Sequence, residues 1–311
     1  MGPFVGRRLL GAVPVLLGIT LLAFLLIHLI PGDPAQIILF GSNPTLAQIQ
    51  QTRDSLGLSA PLWQQYVDYL GRLLHGDLGT SYVTNQTVAH ELVSRAPSTA
   101  LLTVSAVLVA VLIGVPLGLV AGRFPGSVVD MLARLISFLG VAVPYFWLAL
   151  VLVLVFAVNL GWFPAVANGS PLGLVLPAVS LGWGYAAILT RLIRGRVIEE
   201  YHSEYVKAAR ARGCSEWRVL FGYATRNSAI PAVTTLGLQF GNILTGAAVT
   251  EVIFGRSGVG SYLATAITVK NIPVVQGSVV LIGVLYILLN LAVDMVVGVI
   301  DPRARLGAEA A

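Results

Sequence analysis

The sequence contains few charged residues for its length. Only 11% of its 311 residues are Asp, Glu, Lys or Arg, whereas 56% are hydrophobic. A typical soluble domain carries about a quarter charged residues and uses them to form a hydrated surface. Disordered chains are polar and poor in aliphatic residues, which is the opposite composition. The composition therefore argues against a soluble globular domain and a disordered chain, and it indicates a protein that lies mainly in lipid.

Sequence signatures of catalysis and of cofactor binding are also missing. A phosphate-binding loop needs a Gly-Lys pair, but both lysines, Lys207 and Lys270, follow valine. The chain has one cysteine, Cys214, and four scattered histidines without an HExxH motif, so we expect neither a disulfide nor a metal site. The nucleophile motif G-x-S-x-G is absent as well. We therefore expect no catalytic residues, no bound cofactor and no enzymatic activity in this chain.

The charges are distributed so that five long stretches contain none. They cover residues 9–32, 96–122, 135–190, 227–250 and 271–293, with lengths of 24, 27, 56, 24 and 23 residues. A helix that crosses a bilayer needs about 20 apolar residues, so the third stretch is long enough for two. Turn-forming residues between Gly161 and Pro171 divide it. The sequence thus predicts an all-α membrane protein with six transmembrane helices, at 9–30, 98–121, 132–159, 172–191, 229–253 and 274–300.

The positive charges predict the orientation of these helices. With the N-terminus in the cytoplasm, 14 of the 19 Lys and Arg residues fall on the cytoplasmic side and five outside. By the positive-inside rule, this bias predicts that both termini are cytoplasmic. A basic chain would otherwise suggest a nucleic-acid partner, but these charges lie in short loops between spans. We therefore expect the lipid bilayer as a partner and no nucleic acid.

The segment between the first two spans, residues 31–95, is too long for a simple turn and is expected outside the cytoplasm. Pro61 favours the start of a helix and Gly76 favours its end. Apolar residues between them share one helical face: Leu62, Tyr66, Leu70, Leu73 and Leu74. The predicted parts are residues 1–97, comprising the first span and an extracytoplasmic helical cap, a five-helix core at 98–300, and a cytoplasmic tail at 301–311.

Small residues and prolines indicate helix contacts and bends within the spans. Gly114, Gly118 and Gly122 recur at four-residue spacing in the second span, which predicts a smooth stripe that another helix approaches closely. Pro116 predicts a local bend in the same helix. Pro144 predicts a kink in the third span.

The only long polar stretch on the cytoplasmic side is segment 194–228. A first predicted helix there carries aromatic and small residues on one face: Tyr201, Tyr205, Ala208 and Ala209. Gly213 then permits a sharp change of direction. A second predicted helix is lined by apolar residues: Trp217, Leu220, Phe221 and Ala224. Two short amphipathic helices that are joined at a glycine and face the cytosol indicate a docking element for another protein.

Polar side chains inside the spans are the candidates for a transport path. Gln239 and Asn242 lie three residues apart in the middle of the fifth span, and Glu251 lies near its end. Such amides either hydrogen-bond a neighbouring helix or line a pathway, and the sequence favours neither. A carboxylate near a span end is more often a packing or interfacial group than a substrate contact. A stand-alone secondary transporter would need mid-membrane carboxylates or a proton-relay histidine, for which only His28 qualifies.

At the cytoplasmic segment the sequence resembles a known family. The run EYVKAARARG at 204–213, followed by RNSAIP at 226–231, is similar to the EAA loop of binding-protein-dependent ABC importer permeases. Lys207 stands where the generic pattern has glutamate, as in the peptide-importer branch. Further similarities follow in order along the chain: IPGDP at 30–34, GDLGTS at 76–81, TEVIF at 250–254, PVVQG at 273–277 and DPR at 301–303. Over nearly its whole length, the chain resembles the B-type permease subunit of dipeptide and oligopeptide importers.

This resemblance implies a fold, a location and partners. The fold would be a MetI-like permease core in a bacterial inner membrane, and the chain would form half of a translocation pathway for peptides. A homologous second permease subunit would complete that pathway, two cytoplasmic ABC ATPases would drive it by ATP hydrolysis, and an extracytoplasmic peptide-binding protein would deliver the substrate. Importers of nickel or glutathione share this permease family and are the alternatives for the transported solute.

The resemblance and the residue pattern together select two sets of candidate residues. The set expected to contact the ATPases is Glu204, Tyr205, Ala208, Ala209, Arg212, Gly213, Trp217 and Phe221. The set expected along the pathway is Gln239, Asn242 and Glu251.

Overall fold

The chain is almost entirely helical over the residues that the structure describes, which are 2–29, 35–36, 39, 44–55, 57–166 and 169–300 of a computed structural model. The helices are α1 (Gly2–Leu29), α2 (Leu46–Ser55), α3 (Leu62–Leu74), α4 (Val88–Arg123), α5 (Val128–Ala142), α6 (Tyr145–Leu152), α7 (Leu172–Tyr201), α8 (Glu204–Ala211), α9 (Glu216–Val219), α10 (Thr225–Ile253), α11 (Val259–Thr268) and α12 (Ile272–Ile300). Two π-helical segments, Val153–Asn159 and Leu220–Ala224, continue α6 and α9. The predicted tail and parts of the predicted cap (31–34, 37–38, 40–43 and 56) lie outside the described residues.

Apolar helices long enough to cross a membrane confirm the predicted class of protein. Five qualify in the described part of the chain: Leu10–Ile27, Val88–Arg123, Leu172–Tyr201, Pro231–Ile253 and Ile272–Met295. The predicted third span is instead a pair of helical segments, Val128–Ala142 and Tyr145–Asn159, bent by 104° relative to each other. They count as a sixth span only if the bent pair crosses as one.

The break between these two segments is explained by Pro144. The residue before a proline is disfavoured in the helical region, and Val143 has an extended backbone with φ −87° and ψ 120°. The chain therefore leaves the helix at Val143 and starts a new one at Tyr145. The sequence predicted a kink at this proline, and the structure has two separate helical segments with a bend of 104° between them.

The chain folds as two compact units. The first comprises Met1–Ser98 and Ser257–Ile287, and the second comprises Thr99–Arg256 and Leu288–Ala311. Helices α4 and α12 therefore each contribute residues to both units. The N-terminal part, which the sequence separates at residue 97, thus shares a unit with α11 and the first half of α12.

In the first unit, the predicted cap helix forms between its predicted start and end signals. Pro61 precedes α3, and Gly76 has a φ of +75° just after it. The helix packs on α1: the Tyr66 hydroxyl lies 3.1 Å from the Thr20 hydroxyl, and the Phe24 ring centroid lies 5.4 Å from that of Tyr66. Because Thr20 and Phe24 lie within the span, the cap helix lies alongside α1.

The predicted apolar stripe of this helix is only partly confirmed. Tyr69, which was not assigned to it, is the buried residue, and its ring centroid lies 6.0 Å from that of Phe24. Leu62 and Leu74, at the two ends of the helix, are 56% and 87% exposed. Two aromatic rings of this short helix pack on α1, whereas the leucines at its ends are mostly exposed.

In the second unit, α7 is the central helix, and the glycine stripe of α4 packs directly against it. A Cβ added at Gly118 would lie 2.8 Å from Cβ of Ile193, and one at Gly122 would lie 2.6 Å from Cβ of Val197. Real Cβ atoms do not approach so closely, so a side chain at either position would force the helices apart. The predicted close approach of a second helix is therefore confirmed.

Candidate functional site

The candidate docking segment consists of α8, a turn at Gly213, and α9 with its π-helical continuation into α10. Gly213 has a φ of +80°, in the left-handed region that glycine adopts without a steric penalty. Ser215 then caps the next helix, because its hydroxyl accepts a hydrogen bond from the Arg218 N–H at 3.4 Å. The predicted helix–glycine–helix arrangement is present, although α9 itself is only four residues long.

The inner face of this segment packs against the rest of the second unit. Its buried residues are Val206, Ala209, Val219, Leu220 and Ala224. Ala209 was expected to contact a partner, but it is fully buried within the chain. Tyr205 and Ala208, which were assigned to the same face as Ala209, are exposed. In a helix of 3.6 residues per turn, Val206 and Ala209 share the face that packs inward.

The outer face of the segment presents polar and aromatic side chains to its surroundings. On α8 and the turn after it, the exposed candidates are Glu204, Tyr205, Ala208, Arg212 and Gly213. On the second helix, Trp217 and Phe221 are 65% and 59% exposed, and their rings stack with centroids 5.8 Å apart and planes within 10°. Two stacked aromatic rings left exposed on a protein surface are typical of an anchor for a binding partner.

A charged cluster that the sequence did not predict holds the two helices of the segment together. The Arg210 guanidinium donates to both carboxylate oxygens of Glu216, at 2.8 and 3.1 Å. Arg123, at the end of α4, lies 3.3 Å from the same carboxylate. The Tyr201 ring centroid lies 5.0 Å from the Arg210 Cζ and 5.4 Å from the Arg123 Cζ. The cluster therefore links the docking segment to the ends of α4 and α7.

Arg123 was assigned only a topological role from the sequence, as one of the cytoplasmic positive charges. Nothing in local spacing relates Arg123 to Glu216, because 93 residues separate them. The signal that was available is the position of Arg123 at the C-terminal end of α4, where a cation also interacts favourably with the helix dipole.

The three candidate pathway residues of α10 differ in their surroundings. Asn242 is exposed and donates from its Nδ2 to Oε1 of Gln239 at 2.8 Å. It shares an exposed stripe of α10 with Leu238, Thr245 and Val249, at positions i, i+4, i+7 and i+11. Glu251 lies off this stripe with no exposed surface, and its Oε1 accepts a hydrogen bond from the Thr99 hydroxyl at 2.5 Å. The structure groups the two amides and separates Glu251 from them.

Other predicted features of site chemistry have these outcomes. Among the described residues, no group of three or more His, Cys, Asp or Glu side chains is arranged to hold a metal ion. The side chain of His28, the candidate proton relay, lies outside the described residues.

Fold and composition first define the class: this is a polytopic α-helical membrane protein. The chain matches the family model of the binding-protein-dependent transport system inner membrane component over residues 114–306. It also matches the N-terminal membrane component model of the same systems over residues 1–103. The chain therefore belongs to the family of binding-protein-dependent transport system inner membrane components, and it is a multi-pass inner-membrane protein.

Full-length relatives confirm the resemblance found in the motifs. The chain is 37% identical to the di/tripeptide transport system permease protein DppB of Pseudomonas aeruginosa, over 97% of this chain and 98% of that protein. It is also 37% identical to the dipeptide permease DppB of Alkalihalophilus pseudofirmus, over 96% and 98% of the two chains. The glutathione transport system permease protein GsiC of Escherichia coli is 37% identical over 97% and 98%.

A solved structure confirms the predicted fold class. A chain of the MetNI methionine ABC transporter, in an inward-facing conformation, superposes with a TM-score of 0.54 and 19% sequence identity. The alignment covers 68% of this chain and 96% of that chain. Almost the whole of the MetNI chain is matched, so the core of this chain has the MetI-like permease fold.

Proposed function

We propose that this chain is the permease subunit of an ATP-driven peptide importer, in which it forms half of the translocation pathway and couples to cytoplasmic ATPases. The observation that carries this proposal is the exposed Trp217–Phe221 stack beside the outer face of α8, in a segment with the sequence of an EAA loop. The permease relatives named for dipeptides and di/tripeptides support the peptide substrate.

The proposed partners follow from the absence of a nucleotide-binding motif in the sequence and from the aromatic and polar side chains that the docking segment exposes. A homologous second permease subunit completes the pathway, two ABC ATPases drive transport and are coupled to this chain through the segment 194–228, and an extracytoplasmic peptide-binding protein delivers substrate. The docking residues on the outer face are Glu204, Tyr205, Ala208, Arg212, Trp217 and Phe221, with Gly213 setting the turn between the helices. Ala209 supports them from the inner face.

Glutathione is the second candidate substrate, because a glutathione permease is as similar to this chain as the dipeptide permeases are. Glutathione is itself a small peptide, so both substrates need a path that hydrogen-bonds peptide groups. The binding protein is expected to distinguish them.

Uptake by a reconstituted complex tests this function. We expect the chain, co-expressed with its second permease and ATPase subunits, to purify as one complex that imports di- and oligopeptides only with ATP and binding protein. In a second arm, removal of the cap segment 31–95 should abolish uptake while the ATPases stay attached, because the cap is proposed to contact the binding protein. Peptide uptake without ATP would contradict the proposal and favour a secondary transporter.

We further propose six spans with both termini in the cytoplasm, the bent pair α5–α6 acting as the third. The single cysteine supplies a direct test, since Cys214 lies in the docking segment and is partly exposed. A membrane-impermeant maleimide should label it only after permeabilisation of the cells. Labelling of intact cells would place the docking segment outside and overturn the orientation.

The same chemistry tests the proposed pathway along α10. In a chain with Cys214→Ala, cysteines replacing Gln239 and Asn242 should react with small aqueous thiol reagents in the outward-open state, because both positions are proposed to face the water-filled path. Uncharged amides suit such a path, since they bind peptide groups only weakly. A cysteine replacing Leu244, which is buried on the face opposite both amides, is the matched control. Absence of labelling at both amide positions in every state would assign them to helix packing. Glu251 belongs to the pathway only if it becomes accessible in another state.

A further inference from the structure

An open cavity of about 540 Å3 lies between α5 and α7, and its lining includes neither the docking segment's aromatic pair nor the exposed stripe of α10. Its charged lining consists of three arginines: Arg134, Arg191 and Arg194. Its apolar lining includes Phe138 and Val141, which are among the exposed residues of α5. The cavity thus combines a cationic end with an apolar wall.

The arginines carry more charge than their acidic neighbour neutralises. Asp130, buried at the start of α5, is paired with the Arg194 guanidinium, whose Nη2 donates to Oδ2 at 2.9 Å. The Nε of Arg134 lies 3.7 Å from the same carboxylate. In the described part of the chain, Arg191 has no acidic partner within ion-pair distance. Two of the three guanidinium groups therefore share one carboxylate.

A buried hydroxyl in the lining is the second, independent observation. Ser137 lines the cavity, is only 7% exposed, and its Oγ has no hydrogen-bond partner among the described residues. A serine inside a helix usually donates to a carbonyl of the preceding turn, and Ser180 does so to Pro177 at 2.9 Å. An unpaired hydroxyl in the cavity wall offers a hydrogen bond to a polar group of a ligand once the side chain turns toward the cavity.

The position of the cavity relative to the apolar layer indicates which ligand it binds. Arg134 immediately precedes, and Arg191 immediately follows, the 56-residue stretch that contains no charge. Their guanidinium groups therefore lie at one edge of the apolar layer, at the level of lipid phosphates, and the Phe138–Val141 wall extends from there into the layer. A free phosphate ion would use the arginines and leave this wall uncovered.

We propose that this cavity binds an anionic phospholipid, with its phosphate on Arg134 and Arg191, a headgroup or ester oxygen on Ser137, and an acyl chain along Phe138 and Val141. Arginine binds phosphate through paired N–H groups, and basic pockets between helices on the cytoplasmic side suit anionic lipid headgroups. The inference rests on the orientation given under the proposed function, because it assigns the cavity to the cytoplasmic leaflet.

Lipid binding to the purified full-length chain tests the proposal, with native mass spectrometry during titration of phosphatidylglycerol or phosphatidylcholine. We expect the wild-type chain to prefer phosphatidylglycerol. The double variant Arg134→Gln/Arg191→Gln should bind it roughly 30-fold more weakly, since each arginine near a membrane surface contributes about a factor of five to anionic-lipid binding. The control Arg196→Gln/Arg218→Gln removes the same charge from exposed positions outside the cavity and should bind as wild type.

Four results would overturn the proposal. The first is equal binding of the two lipids, and the second is an equal loss of lipid binding in the control variant. The third is full competition by soluble glycerophosphoglycerol. The fourth is a disulfide cross-link between a cysteine replacing Phe138 and a cysteine in the second permease subunit. The third would identify a site for free phosphate esters, and the fourth a subunit interface. Variants are compared only if their thermal unfolding matches that of the wild type. Ser137→Ala is a milder variant that should lose a few-fold in affinity for phosphatidylglycerol. Because lipid binding is measured without ATPases or peptide, its failure leaves the proposed import function untouched.

Discussion

A valine at position 213 is expected to reduce peptide uptake at least tenfold while the protein still inserts in the membrane. Gly213 has a φ of +80°, and a Cβ added there would meet nothing within 4 Å, so the obstacle is the backbone conformation and not lack of space. A residue with a side chain pays about 1–2 kcal/mol in this region, and a β-branched residue pays more. The strain is relieved if the turn changes, which separates Arg210 from Glu216 and reorients α8 relative to α9.

Coupling to an ATPase requires a rigid element with defined geometry, so this reorientation should uncouple ATP hydrolysis from transport or detach the ATPases. Asparagine tolerates positive φ, and Gly213→Asn is therefore expected to transport nearly as wild type. Gly222→Ala tests a nearby glycine for which no left-handed conformation is required. Uptake and ATPase co-purification are measured for all three. If Gly213→Val transports at the wild-type rate with ATPases bound, the turn is not the coupling element.

Removal of the aromatic pair is expected to have the largest effect on ATPase attachment. Trp217→Ala/Phe221→Ala should weaken binding of the ATPases by at least 30-fold, because one aromatic hot-spot residue at the centre of an interface typically contributes about 2 kcal/mol or more and the contributions of adjacent residues do not simply add. The rings are mostly exposed in the isolated chain and stack on each other, so their removal should leave the fold intact. Affinity is measured with purified ATPase subunits and the detergent-solubilised permease.

The matched control for this experiment is Trp162→Ala. Trp162 is 62% exposed and packs on Phe156 with ring centroids 5.6 Å apart, so the variant removes a similar exposed aromatic residue outside the docking segment. It should bind ATPases as wild type. Unchanged ATPase affinity in the double variant would show that the stack faces lipid or solvent in the assembled transporter, and it would leave the outer face of α8 as the remaining docking surface.

Features that depend on neighbours in the sequence were predicted correctly. The cap helix runs from Leu62 to Leu74, between the proline and the glycine that were expected to limit it. The turn at Gly213 was also found, because positive φ is a property of a single residue. The glycine stripe of α4 is similar: three glycines on one face permit close approach whatever the partner helix is, although only the structure identifies that partner as α7.

Features that depend on which face packs where were not predictable from the same pattern. Val206 and Ala209 point inward while Tyr205 points outward, and a short amphipathic helix leaves both choices open until α8 meets its neighbours. The ion pair of Arg123 with Glu216 joins residues that are distant in the sequence, so spacing holds no information about it. Glu251 was grouped with the pathway amides on polarity alone, and its burial against Thr99 is a tertiary property.

The sequence by itself determined that this protein spans a membrane several times and belongs among transport permeases. The cost of placing a charge in lipid is incurred residue by residue, so charge-free stretches are visible in one dimension, and the family motifs are contiguous runs. The tertiary structure decided that the predicted third span is a pair of helical segments bent by 104° and that Trp217 and Phe221 form an exposed stack. It also placed Arg134 and Arg191 around one cavity. These outcomes depend on which helices pack together, and side-chain shapes that are far apart in the chain determine that packing.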